Sequence, residues 1–218
     1  MEHIRQTLGG FRQHIPDLKI YKEDPELSPE ESRIKTLILL GVSDINHTFD
    51  AIKRIKGFES TLAAFKAIAN GKASYSLLMV YGGVGNGKTL CCEATVIEMF
   101  DRGIYVKRDR WSDIVRALKS HFNGRGTMSY EEYFHNLRSR TRLILDDVGS
   151  GSTLGSWEWG ELEDIVDYRY ERKLFTIITS NLDIKSFPER ILSRFRDKSR
   201  ARLILNEAVD QRPFQEAK

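Results

Sequence analysis

SLLMVYGGVGNGKTLCC, residues 76 to 92, sets the apolar run Leu77 to Tyr81 directly before glycines at 82, 83, 85 and 87 and then Lys88-Thr89. Glycine inside a helix or strand costs about 0.5–1 kcal/mol relative to alanine, so such a cluster asks for a reason. The plain reading is a mobile turn between a strand and a helix. The sharper one is a phosphate cradle, because Gly82-Gly83-Val84-Gly85-Asn86-Gly87-Lys88-Thr89 satisfies G-x-x-x-x-G-K-[ST] in full. Glycines let successive backbone N–H groups turn inward around an anion, and a helix opening near Lys88 adds the partial positive charge of its N-terminus. An apolar strand before the motif and an apolar-faced helix after it are the setting that favours the cradle. Lys88 is then expected to reach the β- and γ-phosphates of ATP, and the Thr89 hydroxyl to hold Mg2+.

Working outward, short apolar runs alternate with amphipathic stretches from Ala73 onward. The pattern predicts strands over 77–81, 104–107, 143–146, 175–179 and 201–205, with helices over 88–100, 111–122, 130–139 and 157–172. Buried runs separated by helices are the signature of a parallel sheet with helical crossovers. The expectation is an α/β P-loop NTPase with a five-stranded parallel sheet flanked by helices. Ahead of it, Ser28-Pro29-Glu30-Glu31 reads as an N-cap, a proline at the first helical position and a capping-box glutamate. That helix carries Ile34, Leu37 and Leu40 and should stop at Gly41. Residues 1–27 read as a short helix plus linker. The division expected is an N-terminal helical segment or linker over 1–46, available for a partner, and an ATPase core over 47–218.

Arg142-Leu143-Ile144-Leu145-Asp146-Asp147 supplies an apolar strand ending in two carboxylates. A metal-bound triphosphate needs an acidic group at a strand end facing the cradle. Asp146 fits the metal role through water, and Asp147 the orientation and polarisation of the attacking water. Alone, the segment would read as an acidic turn. Phe175 to Asn181 ends a further apolar strand in an amide; in such a sheet that amide could contact the γ-phosphate or the lytic water.

The totals exclude little but are consistent. Of 218 residues, 40% are hydrophobic and 30% charged, which describes an ordinary globular protein, and a formal charge of +3 neither demands nor excludes nucleic acid. Cys91 and Cys92 are sequence neighbours, poorly placed for a bridge or a zinc site, and read as buried small hydrophobes in a reducing compartment. The five histidines show no metal-ligand spacing. No signal pattern and no membrane-length apolar stretch is found, so a cytoplasmic location is expected.

YGGVGNGKT, LILDDVG, DYRYERKLFTIITSNL and RILSRFRD together resemble the AAA+ ATPases of the DnaC/DnaI type, the bacterial and phage replicative-helicase loaders, and are also similar to the IstB-type transposition helpers. The resemblance runs from about Ser32 to Arg212, and the tyrosine-arginine-tyrosine stretch followed by the TSN strand is its most specific part. It implies that Asn181 is the sensor-1 amide and that Phe49, in Thr48-Phe49-Asp50, sits by the adenine. It implies too that Arg194, in Ser193-Arg194-Phe195, is an arginine finger acting on ATP held by a neighbouring subunit of a homo-oligomer, and that Arg212 lies near sensor 2. Asp147 stands where many AAA+ proteins have Glu. With no cysteine before position 91, the zinc ribbon of some relatives is not expected, nor is the helical lid of larger AAA+ proteins. Arg194 has no local acidic partner in the sequence that would explain it otherwise.

The function expected from this resemblance is a helicase loader that binds ATP and Mg2+, contacts single-stranded DNA and assembles with a replicative DNA helicase. A transposition helper binding duplex DNA, and a nucleotide-switched adaptor with little turnover, are the alternatives. Basic and aromatic residues mix in Lys107, Arg108, Arg110 and Trp111, then in Lys119, His121, Phe122, Arg125, Tyr130, Tyr133 and Phe134; the 119–134 region is the DNA-contact candidate, though Trp111 and Phe122 could equally be core.

Overall fold

A computed structural model describes residues 27–53, 55–149 and 154–212. The helix-plus-linker reading of the first residues therefore lies outside the described residues up to position 26. The elements, in chain order, are α1 (Pro29–Leu39), α2 (Glu59–Ala69), β1 (Leu77–Tyr81), α3 (Lys88–Asp101), β2 (Lys107–Arg110), α4 (Trp111–Phe122), α5 (Tyr130–Ser139), β3 (Arg142–Val148), α6 (Ser156–Glu171), β4 (Phe175–Ser180), α7 (Glu189–Arg196) and β5 (Ala201–Leu205).

The five strands form one parallel sheet in the order β2-β3-β4-β1-β5. The interior strand β1, between β4 and β5, is buried on both faces, which is why its sequence is an unbroken apolar run rather than an alternating one. One core packs α1, α2 and α3 against the sheet through residues such as Leu37, Phe65, Val96 and Ile144. The other packs α4, α5, α6 and α7 through Leu118, Leu137, Ile165 and Phe195. Burying apolar side chains at about 25 cal/mol per Å2 is the main force holding these layers.

At the start of α1 the capping box forms as expected: Ser28 accepts from the Glu31 backbone N–H, and the Glu31 carboxylate accepts from the Ser28 N–H at 2.8 Å. Gly41, just past α1, has φ +98. The described part of the N-terminal segment packs into the core beside α3, with Leu37, Leu40 and Val42 buried and Arg33 bidentate to Asp101 at the end of α3.

Two expectations need correction. The second strand lies three residues later than predicted, because Ile104 to Val106 pack beneath the sheet while the charged stretch Lys107 to Arg110 pairs with β3. The helix α2, unread in the sequence, covers the core beside α3, burying Leu62, Phe65 and Ile68.

The tyrosine-arginine-tyrosine stretch is scaffold. Arg169 is fully buried, and its guanidinium donates to the carbonyls of Arg138, Arg140 and Phe175 and to the Thr176 hydroxyl, tying α6 to the starts of β3 and β4. Burial, with Arg140 adding repulsion, pulls it down to about 9.

Candidate nucleotide-binding site

The loop after β1 and the first turn of α3 line a cavity of about 330 Å3 at the carboxyl ends of the strands, together with His47, Asp147, Thr179, Asn181 and Arg212. Ligands of open α/β sheets bind at this end. Two glycines make the loop possible. Gly82 has φ +140, and a Cβ there would lie 2.3 Å from the Asn206 carbonyl oxygen; Gly87, the N-cap of α3, has φ +89, and a Cβ would press on the Phe58 ring.

Lys88 is 6% exposed, and its ammonium donates to Gly82 O at 2.9 Å, Gly83 O at 2.6 Å and Asn86 Oδ1 at 2.9 Å. All three acceptors are neutral. Burial pushes the group down to about 8, against the opposing pull of Asp147 and Asp146. A desolvated cation held by neutral oxygens at the mouth of a glycine loop is a fit for a polyphosphate.

The acidic pair itself forms a bulge in β3. Leu145 pairs with Ile178 and Val148 with Ser180, so Asp146 and Asp147 together face Thr179. The bulge turns the two carboxylates to different tasks. Asp146 is 1% exposed; its Oδ2 accepts from Arg108 at 2.6 and 3.0 Å, and its Oδ1 lies 3.4 Å from the Thr89 hydroxyl and also accepts from Thr179. Asp147 lines the cavity with φ +61, a left-handed conformation that outside glycine is uncommon and favours Asn and Asp, and its Oδ1 accepts from Asn181 Nδ2 at 2.5 Å.

Lys88, Thr89, Asp147, Asn181 and Arg212 therefore meet around one cavity. Phe49 is not among the lining residues: it is 7% exposed within the core, under the Lys66 ammonium, and His47 is what its segment contributes to the cavity. Arg194 stands away from the cavity on α7, and the absence of a local acidic partner expected from sequence is overturned. Its Nε donates to Asp167 Oδ1 on α6 at 2.9 Å, and its guanidinium lies over the Tyr170 ring. Arg190 shares the same carboxylate. Sequence reading set Arg108 in a basic and aromatic cluster and missed Glu93; both are buried and ion-paired behind the site, and an arginine within a strand and a glutamate on an otherwise apolar helix face were the available signals.

No family model matches the chain. It is 28% identical over 187 residues to the chromosomal replication initiator protein DnaA of Limosilactobacillus fermentum, covering 80% of this chain and 37% of that protein. It is 28% identical over 178 residues to the replicative helicase loader DnaC of Buchnera aphidicola subsp. Acyrthosiphon pisum, covering 77% of this chain and 72% of that one. The crystal structure of the DnaC helicase loader matches with a TM-score of 0.62 at 20% identity, over 74% of this chain and 97% of that chain. The fold is the AAA+ P-loop fold of DnaC and DnaA. The resemblance read from the motifs thus recurs in both sequence and architecture. A DnaA structure with AMPPCP and single-stranded DNA shares this AAA+ fold at a TM-score of 0.62 and 24% identity, over 76% of this chain and 51% of that chain. The chain spans well under half of the length of the DnaA relative. No helix among the described residues is long and apolar enough to cross a membrane.

Proposed function

We propose that the protein is a cytoplasmic, ATP-hydrolysing AAA+ protein of DNA replication, a loader that binds single-stranded DNA and a replicative helicase. The observation that carries this reading is the convergence of Lys88, Thr89, Asp147, Asn181 and Arg212 on one cavity. Lys88 binds and neutralises phosphate oxygens, and Asn181 holds Asp147 in a fixed direction toward the space where a water would be activated. Thr89, with Asp146 behind it, takes the cation. Mg2+ bound there would keep most of its shell from phosphate and water oxygens. Bound Mg2+ would offset charge developing on the transferred phosphate.

For DNA, Phe122 at the end of α4 is 71% exposed, Trp157 on α6 is 37% exposed, and the Lys119 ammonium lies over the Trp157 ring. Exposed rings next to a cation suit stacked bases and their phosphates. Trp111, at 3% exposure, belongs to the core.

The nucleotide-switched adaptor is a second reading, favoured by the pairing of Arg194 with Asp167 inside its own chain. Steady-state ATP hydrolysis alone, with single-stranded DNA and with duplex DNA, separates the readings. The loader reading expects stimulation by single strands and a complex with the replicative helicase of the native cells on size exclusion. Hydrolysis unmoved by either DNA, with no such complex, would overturn it.

A further inference from the structure

Behind the cavity, three charged side chains are almost removed from solvent: Asp146 on β3 at 1% exposure, and two that the proposed phosphate chemistry leaves without a task, Glu93 on α3 at 0% and Arg108 on β2 at 4%. Arg108 gives Nε and one terminal nitrogen to Asp146 Oδ2, at 3.0 and 2.6 Å; the other terminal nitrogen donates to the Gly41 carbonyl and is ion-paired with Glu93 Oε1 at 3.2 Å. Glu93 in turn accepts from the Ser43 hydroxyl at 2.8 Å and from its N–H at 3.1 Å, and meets His47 Nδ1 at 2.8 Å. Two buried carboxylates thus divide one guanidinium. Asp146 spends Oδ2 on that cation and turns Oδ1 toward Thr89 and Thr179, both of which line the cavity.

We infer that Glu93 and Arg108 are a charge-balancing pair that sets how strongly Asp146 engages the divalent cation accompanying the nucleotide. The inference rests on the nucleotide-site reading above. Arg108 drains negative charge from Asp146 and so weakens its hold on a cation. Glu93 competes for Arg108 and returns part of that charge. Both act through Asp146 and are positioning residues. Removing Arg108 should therefore tighten Mg2+ at the site, whereas neutralising Glu93 should loosen it. Damage to the fold would weaken binding in both variants, so opposite signs are the signature.

The test titrates MgCl2 against the full chain with the fluorescent analogue mant-ATP and reads the Mg2+ midpoint of binding, with a parallel titration in EDTA. Arg108→Gln should lower the midpoint roughly tenfold, as removal of a charge adjoining the cation site implies in a partly shielded interior. Glu93→Gln should raise it. Arg108→Lys should fall between wild type and Arg108→Gln, since a point charge cannot serve both carboxylates as the guanidinium fork does. If Arg108→Gln does not fold, the Glu93→Gln/Arg108→Gln variant removes one charge of each sign and should still show a lowered midpoint. Affinity in EDTA should stay near wild type throughout. Midpoints that do not move, or that rise in both single variants, overturn the inference while leaving the nucleotide reading intact. A wild-type chain that binds mant-ATP without any Mg2+ dependence overturns both.

Discussion

Asn181 Nδ2 donates to Asp147 Oδ1 at 2.5 Å, joining the end of β4 to a carboxylate whose backbone sits at φ +61. The strained backbone aims the carboxylate, and the amide fixes its rotation. Asp147→Asn should bind mant-ATP at near wild-type affinity yet hydrolyse ATP about 100-fold or more slowly, since an amide cannot act as a base. Asparagine tolerates the left-handed region better than most residues, so thermal denaturation should find the variant at least as stable as the parent. Wild-type turnover would remove Asp147 from the chemistry.

The buried ammonium of Lys88 makes a pH prediction with a definite sign. Free Lys88 loses its proton near pH 8, and phosphate binds the protonated form. Affinity for mant-ATP should be flat below that pH and fall above it, by up to roughly tenfold per unit. The stability of the nucleotide-free chain runs the other way. The folded value of about 8 lies below the ordinary 10.5, so the unfolded chain holds more protons in that window, and Lys88 contributes stability that rises with pH across it. Lys88→Met should lose both trends and the ATPase activity, as isothermal titration and urea melts at several pH values would register.

Arg194 carries a prediction about assembly. If it serves a neighbour's nucleotide, Arg194→Ala and Lys88→Ala chains, each inactive alone, should regain hydrolysis when mixed, because some interfaces then pair an intact cradle with an intact finger. Asp167 holds Arg194 within its own chain, so Asp167→Asn should raise turnover at concentrations that favour assembly without changing mant-ATP affinity. A mixture as inactive as its parts, with hetero-assembly verified by size exclusion, would confine Arg194 to its contact with Asp167.

Arg169 should prove structural. Arg169→Met strips the donors from several backbone carbonyls at once and is expected to destabilise the fold by about 3 kcal/mol or more in urea denaturation. The folded fraction should still bind mant-ATP normally.

Phe122→Ala tests the DNA face with little risk to the fold, because the ring is 71% exposed. Fluorescence anisotropy with a labelled single-stranded oligonucleotide should show a loss of about 1–3 kcal/mol if the ring stacks on a base. The same affinity with and without the ring would remove Phe122 from the proposed DNA contact.

The cradle, the acidic strand end and the sheet were legible because each is written locally: glycine spacing, an apolar run, a helix start. Trp111 to Phe122 and Tyr130 to Ser139 fall at their expected bounds for the same reason. What escaped was non-local. Arg108 looks like surface charge within KRDR and is buried only because Asp146, 38 residues away, and Glu93 converge on it. Asp167, which captures Arg194, sits 27 residues from it on another helix. The helix α2 escaped for a different reason: no side-chain cap marks its start at Phe58.

The cradle is also stitched to the last part of the described chain. Asn86 and Asn206, 120 positions apart, exchange side-chain to backbone bonds in both directions, the Gln211 N–H reaches Gly85 O, and β5 pairs with β1 along its length. A chain extended only to residue 200 would contain the whole glycine motif and both acidic residues, yet would lack the Asn206 and Gln211 bonds and the β5 pairing that brace the loop from outside. The shape of the loop therefore depends on β5 and the residues after it, although none of the glycine motif itself lies there.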